Sequence, residues 1–247
     1  VLLHTSEKIM TIETGAMVKE IQDADNQKKV VYKTQGERRE CCVEKVMVCV
    51  GRRPNTKELE LETAGIQVNK RGYIQVNSHY ETTAPGVYAI GDVNGQVLLA
   101  HAASAQGIYV ADRISGKQAG INTKLIPSCI YTKPEIACVG KTEDELKKEN
   151  IPYNVGKFPL SGNGKALSMG EPEGFVKILT GKNYGEILGA HIVGARATDL
   201  IGELALAINA ECTAEEIIHT VHPHPTVSEA IFEAAELSFN GQTVHII

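Results

Sequence analysis

The chain has 247 residues, of which 43% are hydrophobic and 22% charged, values ordinary for a folded protein of one or two domains. A net charge of −5 and no polycationic stretch give no reason to expect a nucleic-acid partner. No apolar run approaches the roughly 18 residues that span a bilayer, so no membrane segment is expected, and Val1-Leu2-Leu3 runs into polar His4-Thr5-Ser6-Glu7 with no secretory pattern.

Val1-Leu2-Leu3 reads as a strand already under way, with no turn or cap before it, which suggests a chain that begins inside a larger protein. Lys8–Ile12, Ala16–Ile21 and Lys29–Lys33 carry apolar residues at strand spacing, and Asp23–Gln27 supplies a polar turn between two of them. The segment Cys42–Val50 ends in a continuous apolar run, the pattern of a strand buried on both faces. It delivers Gly51-Arg52-Arg53-Pro54-Asn55. A glycine at the carboxyl end of such a strand lets a ligand approach the backbone.

Tyr73–Val76 and Gly86–Ile90 read as strands, the second ending in Gly91-Asp92. An Asp just past a strand can accept from a polyol hydroxyl, and it is equally a turn residue bonding its own backbone. Leu98-Leu99-Ala100-His101 then leads into small and apolar residues at helical spacing from Ala102 to Ile114.

Beyond residue 121, Ile126–Glu135 and Ile136–Gly140 read as extended chain, and Thr142-Glu143-Asp144-Glu145 is a capping box before a short charged helix. Asn163–Gly170 lacks the Gly-Lys-Ser/Thr order of a phosphate loop, and that reading is rejected. Gly174–Leu179 and Ile187–Val193 predict a hairpin turning at Thr180–Asn183. Helices are predicted over 198–210, over 214–221 behind the box Thr213–Glu216, and over 226–239. Strands followed by amphipathic helices imply an α+β layer.

Before the last helix stands His222-Pro223-His224-Pro225-Thr226-Val227-Ser228-Glu229-Ala230. Each proline fixes φ and lacks a backbone donor, so both imidazoles ride on a stiff segment. Stiffness suits a group that must meet a reacting atom accurately, and an imidazole titrates near neutrality, as a general base requires. Glu229 admits two readings on spacing alone. It closes a capping box with Thr226, or it accepts a hydrogen bond from His224 and sets the tautomer.

The six cysteines, at 41, 42, 49, 129, 138 and 212, form no Cys-x-x-Cys and no spaced ligand set, so no metal site is expected. Adjacent Cys41 and Cys42 could bridge only in a strained ring and are read as thiols. Thiols unpaired in this way suit a reducing, cytoplasmic setting.

The stretch His-Pro-His-Pro-Thr-Val-Ser-Glu-Ala resembles the C-terminal signature of the flavin- and nicotinamide-dependent disulfide oxidoreductases, most of all their dihydrolipoamide dehydrogenase branch. The resemblance implies that His224 is the catalytic base and Glu229 its orienting partner, with His222 as supporting structure. Val50–Asn55 is similar to the segment closing the family's NAD domain, which makes Gly51 a nucleotide contact and Ile9 a looser candidate. Ala89–Val93 with Leu98–Ala103 resembles the family's second FAD fingerprint, which implies that Asp92 holds the ribityl chain and that Leu98, Leu99, Ala100 and His101 lie beside the flavin ring. The fold implied is α/β and α+β. Residues 1–55 are the end of an NAD-binding domain, 56–120 part of an FAD-binding domain, and 121–247 an α+β interface domain.

The same resemblance implies oxidation of dihydrolipoamide to lipoamide with FAD and NAD, in a homodimer that serves the lipoyl domains of a 2-oxoacid dehydrogenase or related complex. Two departures limit it: both Gly-x-Gly-x-x-Gly loops and the redox Cys-x-x-x-x-Cys are absent from the sequence. The expectation is therefore the C-terminal part of such an enzyme, inactive and without retained FAD when isolated. The alternatives are a glutathione-type disulfide reductase and a dimerisation module with no activity of its own.

Overall fold

The computed structural model describes residues 1–244. It forms two compact units, Leu2–Arg53 and the chain from Pro54 onward.

The first unit opens not with the expected strand but with a single turn of helix, α1 (Leu2–Ser6). An extended triplet without a partner would leave its backbone groups unpaired, whereas the helical turn pairs them locally, with the Glu7 amide donating to the Leu3 carbonyl at 2.9 Å. Lys8–Ile12 is likewise turn and coil, with Ile9 and Met10 exposed. Three strands then make an antiparallel meander: β1 (Met17–Ala24), β2 (Gln27–Thr34) and β3 (Glu37–Val43), in that order. Asp25 and Asn26 take positive φ and turn β1 into β2, as the polar stretch there predicts. Only the central strand buries residues, Val31 and Thr34.

The buried strand expected at the end of Cys42–Val50 does not form. β3 stops at Val43, and residues 46–50 have no ladder partner among the described residues. Met47 is 88% exposed. A run of this composition becomes a strand when strands flank it on both sides, and this unit supplies only the three of the meander.

In the second unit, Tyr73–Val76 and Gly86–Ile90 make single bridges, Val68 to Ile74 and Glu81 to Tyr88, instead of strands. Side chains close the tight turns beside these bridges. Asn69 Oδ1 accepts from the Arg71 and Tyr73 amides, and Asn77 Oδ1 from those of His79 and Glu81. A 3-10 turn at Gly91–Asn94 precedes α2 (Ala100–Ile114). The turn is fixed on the helix by buried Gln106, whose Oε1 accepts from the Gly91 amide at 2.8 Å and from Asn94 Nδ2 at 3.0 Å. Gly91 is required here, since φ is +72° and a Cβ would lie 2.9 Å from that of Ala103.

The rest is an antiparallel five-stranded sheet in the order β4-β5-β8-β7-β6, made of β4 (Ser128–Ile130), β5 (Glu135–Gly140), β6 (Tyr153–Pro159), β7 (Phe175–Gly181) and β8 (Ile187–Gly194). The predicted hairpin is β7–β8, paired from Phe175 opposite Val193 to Thr180 opposite Ile187. Between strands lie α3 (Glu143–Lys148), with its capping box formed, and the short α4 (Gly164–Ser168). Then come α5 (Ala197–Asn209), α6 (Ala214–His219), also behind a formed capping box, and α7 (Glu229–Phe239).

Helices α5 and α7 lie on the sheet over a core that includes Phe158, Val176, Ile178, Ile192, Leu204 and Ile231, each no more than 1% exposed. Complete burial of an aliphatic or aromatic side chain is worth about 1.5–3 kcal/mol. Helix α7 sits close to β6 because Gly156 has no side chain: a Cβ there would run into the Ala234 carbonyl and the Ser238 amide. That close approach fixes the height of α7, and with it Glu229 at its first position. The mixed α/β fold, and the α+β sheet-and-helix layer of the later part, are as the sequence implies.

Candidate active site

The stretch 220–229 joins α6 to α7 and carries the two residues singled out as base and partner. Helix α7 begins at Glu229, three residues later than the predicted range 226–239, and Ser228 at its N-cap makes no side-chain cap bond. The Thr226 hydroxyl instead donates back to the Pro223 carbonyl at 2.7 Å and meets Ser228 Oγ at 2.7 Å.

Glu229 fulfils both readings of the sequence, one oxygen each. Its Oε2 accepts from the Thr226 amide at 2.8 Å, the capping half of the motif. Its Oε1 lies 2.8 Å from His224 Nδ1. A carboxylate oxygen only accepts, so Nδ1 carries the proton and Nε2 of the neutral ring holds the lone pair. The His224 side chain is 75% exposed and that of Glu229 19%. The carboxylate is thus held in the structure while the basic nitrogen is presented outward. This is an arrangement for taking a proton from a group that arrives from outside the unit.

Two further residues hold the loop, and neither was found from sequence. Asn163, buried at the N-cap of α4, accepts from the Ala166 amide at 2.9 Å and donates through Nδ2 to the Thr226 carbonyl at 3.0 Å. Glu203, on α5, meets His222 Nε2 at 3.0 Å. Asn163 offers only a generic helix-start signal, and Glu203 is one acid on an amphipathic helix, so spacing gave no reason to choose either.

The proposed flavin contacts fall together at the other end of this unit's sequence. Asp92 lies on the turn that Gln106 ties to α2, and Leu98-Leu99-Ala100-His101 forms the start of that helix. Leu99, the N-cap, has no side-chain acceptor for the first-turn amides. His101 is fixed through Nε2, 2.8 Å from the Pro127 carbonyl. Gly51 and Ile9 belong to the other compact unit. Gly51 has φ +109° with nothing near its missing Cβ, and Ile9 is exposed. Among the described residues no cluster of His, Cys, Asp or Glu is arranged to hold a metal ion, and no helix is long and apolar enough to cross a membrane.

Two family models match the chain. The pyridine nucleotide-disulphide oxidoreductase model covers residues 3–107, and the dimerisation-domain model of the same oxidoreductases covers 126–235. The chain belongs to the pyridine nucleotide-disulphide oxidoreductases. Within this family it is 42% identical over 96% of its length to the dihydrolipoyl dehydrogenase of Bacillus subtilis. It is 48% identical over 77% of its length to the mitochondrial enzyme of Dictyostelium discoideum. LpdA from Mycobacterium tuberculosis superposes with a TM-score of 0.86 at 28% identity, over 95% of this chain and 50% of that one. The chain spans about half the length of the curated relatives it matches, 50% of the Bacillus protein and 39% of the Dictyostelium one. The oxidoreductase family works with a flavin and a nicotinamide nucleotide, and its dimerisation domain here contains the whole five-stranded sheet together with His224 and Glu229.

Proposed function

We propose that this chain is part of a dihydrolipoyl dehydrogenase and contributes its acid/base pair, His224 with Glu229. The observation that carries the reading is the 2.8 Å contact between His224 Nδ1 and a Glu229 oxygen, on a ring whose other edge faces out. In the reaction, dihydrolipoamide attacks an enzyme disulfide, and only its thiolate is an effective nucleophile. His224 Nε2 takes the thiol proton, and Glu229 stabilises the resulting imidazolium while holding the ring's direction. Lys or Arg could not replace this pair, since neither releases the proton again near neutral pH.

FAD and NAD, when bound, supply the electron and hydride transfer. The residues here fit the flavin. Asp92 would accept from ribityl hydroxyls, and Leu98–His101 would present the first-turn amides and apolar edge of α2 to the ring. Gly51 and Ile9 would contact NAD. The corresponding division is an NAD-binding part at 1–55, an FAD-binding part at 56–120 and an interface domain at 121–247. The partners are a second copy of the enzyme that contains this chain, whose redox disulfide, carried outside the present residues, His224 serves, and the lipoyl domains of a 2-oxoacid dehydrogenase or related complex in the cytoplasm. By itself the chain has no Cys-x-x-x-x-Cys pair and no pyrophosphate loop, so we expect no turnover from it and no flavin colour after mixing with FAD and desalting.

The test is His224→Gln in the enzyme that contains this chain, assayed for lipoamide turnover. Loss of a general base is expected to lower the rate by ~10²–10⁴. Unchanged turnover would remove His224 from the role. Glu229→Gln keeps a hydrogen bond to the ring and is expected to cost less.

A further inference from the structure

The base-bearing loop contains a second imidazole with the opposite character to the first. The His222 side chain is 6% exposed. Its Nδ1 lies 2.9 Å from the Thr220 carbonyl and its Nε2 3.0 Å from Glu203 Oε1. A carbonyl oxygen only accepts, so Nδ1 must carry a proton to bond it. Glu203 is likewise an acceptor when ionised, so Nε2 must carry one too. A neutral ring has a single N–H and would set a lone pair against one of these oxygens. The remaining arrangement, neutral His with protonated Glu203, is disfavoured because the Glu203 side chain is 34% exposed and water there removes the burial penalty that would favour an uncharged carboxyl.

We propose that His222 is a positioning residue that, as an imidazolium bonded at both ring nitrogens, clamps the entry of the base-bearing loop to α5 through Glu203. The loop is then held at both ends by carboxylates on different helices. Glu203 holds position 222 from α5, and Glu229 holds positions 224 and 226 from α7. One residue, Pro223, separates the clamp from the base, and it leaves little freedom between them. A shift of the clamp therefore moves the His224 ring, and displacements of about 1 Å are costly for a proton-transfer group. The inference rests on the reading of His224 as the base.

The surroundings favour the charged ring. Besides Glu203, the groups facing it are Glu229 and Glu233 of α7 and His219 of α6, which share a cavity with it, and the Phe232 ring 6.2 Å away. The hydrogen bond to Glu203 raises the His222 pKa above the ordinary 6.5, against a smaller opposing effect of burial. The clamp therefore holds while His222 is protonated and Glu203 ionised, and is released as the pH rises through the raised His222 value.

The test is imidazole nitrogen NMR on the 247-residue chain across pH. Both His222 nitrogens are expected to be protonated at pH 6.5, with a titration midpoint above that ordinary value. The His224 Nδ1–H signal is expected to broaden as His222 loses its proton. Glu203→Gln, which keeps a hydrogen-bond acceptor but removes the charge, should lower the His222 midpoint and broaden the His224 signal at pH 6.5. In the assembled enzyme it should lower kcat about tenfold and leave the KM for NAD unchanged. A His222 ring with one bare nitrogen at pH 6.5, or a His224 signal indifferent to His222 in the wild-type titration, overturns the proposal even if the variant does not fold. Failure of the base reading registers separately, as unchanged turnover in His224→Gln.

Discussion

The two compact units answer differently to the same kind of sequence pattern. In the unit beginning at Pro54, the apolar hairpin 174–193 forms its ladder, and its inward residues Val176, Ile178 and Ile192 are fully buried beneath α5 and α7. In Leu2–Arg53, the apolar run 46–50 pairs with nothing among the described residues, and Met47, Val48 and Val50 are exposed. Both runs are hydrophobic enough to be strands. The difference lies in what each can pair with: β7 and β8 meet each other across a short turn, while a doubly buried strand depends on neighbours distant in sequence. A local pattern becomes an element only where the chain supplies that element's partners, as the neighbouring strands do for β7 and β8.

The sharpest probe of this contrast is a pair of truncations. Phe158→Ala removes a ring 1% exposed at the centre of the sheet-and-helix core and is expected to cost about 3–5 kcal/mol in chemical denaturation. Met47→Ala removes a side chain of similar hydrophobicity from the surface and is expected to change stability by less than about 0.5 kcal/mol. Comparable losses at the two positions would mean that residues 46–50 are buried in solution, and the contrast would collapse.

The same distinction separates what could be read in the sequence from what could not. Capping boxes at Thr142 and Thr213 formed as written because all their atoms lie within four residues. The strands expected at 73–76 and 86–90 reduce to single bridges between tight turns, which Asn69 closes on the Arg71 and Tyr73 amides and Asn77 on those of His79 and Glu81, and apolar spacing does not register such turns. The His224–Glu229 contact was visible as a five-residue spacing. Glu203 and Asn163 reach the loop from 19 and 63 residues away, and no periodicity points to them. The spacing thus made the His224–Glu229 contact legible but not the residues that hold its loop.

A cross-strand cap tests a long-range contact of intermediate size. Helix α5 begins after Arg196, which has positive φ and no side-chain cap. Its first turn is served instead by Glu135 of β5, whose Oε2 accepts from the Thr198 amide at 3.0 Å and hydroxyl at 2.7 Å. Glu135→Ala is expected to cost about 1 kcal/mol, the usual worth of a cap, although no capping motif precedes the helix. Because α5 also carries Glu203, the variant should disturb the His222 ring as well. A thermal melt with histidine NMR would separate the two effects. An unchanged melt would mean that water serves the helix start equally well.

The smallest expected effect concerns pH, and it again falls on the buried unit. His191 of β8 lies opposite Lys177 of β7, and its Nδ1 is buried with no partner. Burial, and next the Lys177 charge, hold its pKa below the ordinary 6.5, while Glu143 and Glu145 oppose them weakly. The unfolded chain therefore binds this proton at a higher pH than the folded one does. Stability is full above about pH 6.5 and declines as the pH falls from there through the lowered folded value. His191→Gln is expected to flatten that decline when denaturant midpoints are compared across the same range. The exposed pair Lys29–Glu40 on the meander, 2.8 Å apart, is screened by solvent and should leave no comparable slope. If the slope survives in His191→Gln and disappears in Glu40→Gln, the electrostatic weight lies in the meander, and burial is not what separates the two units.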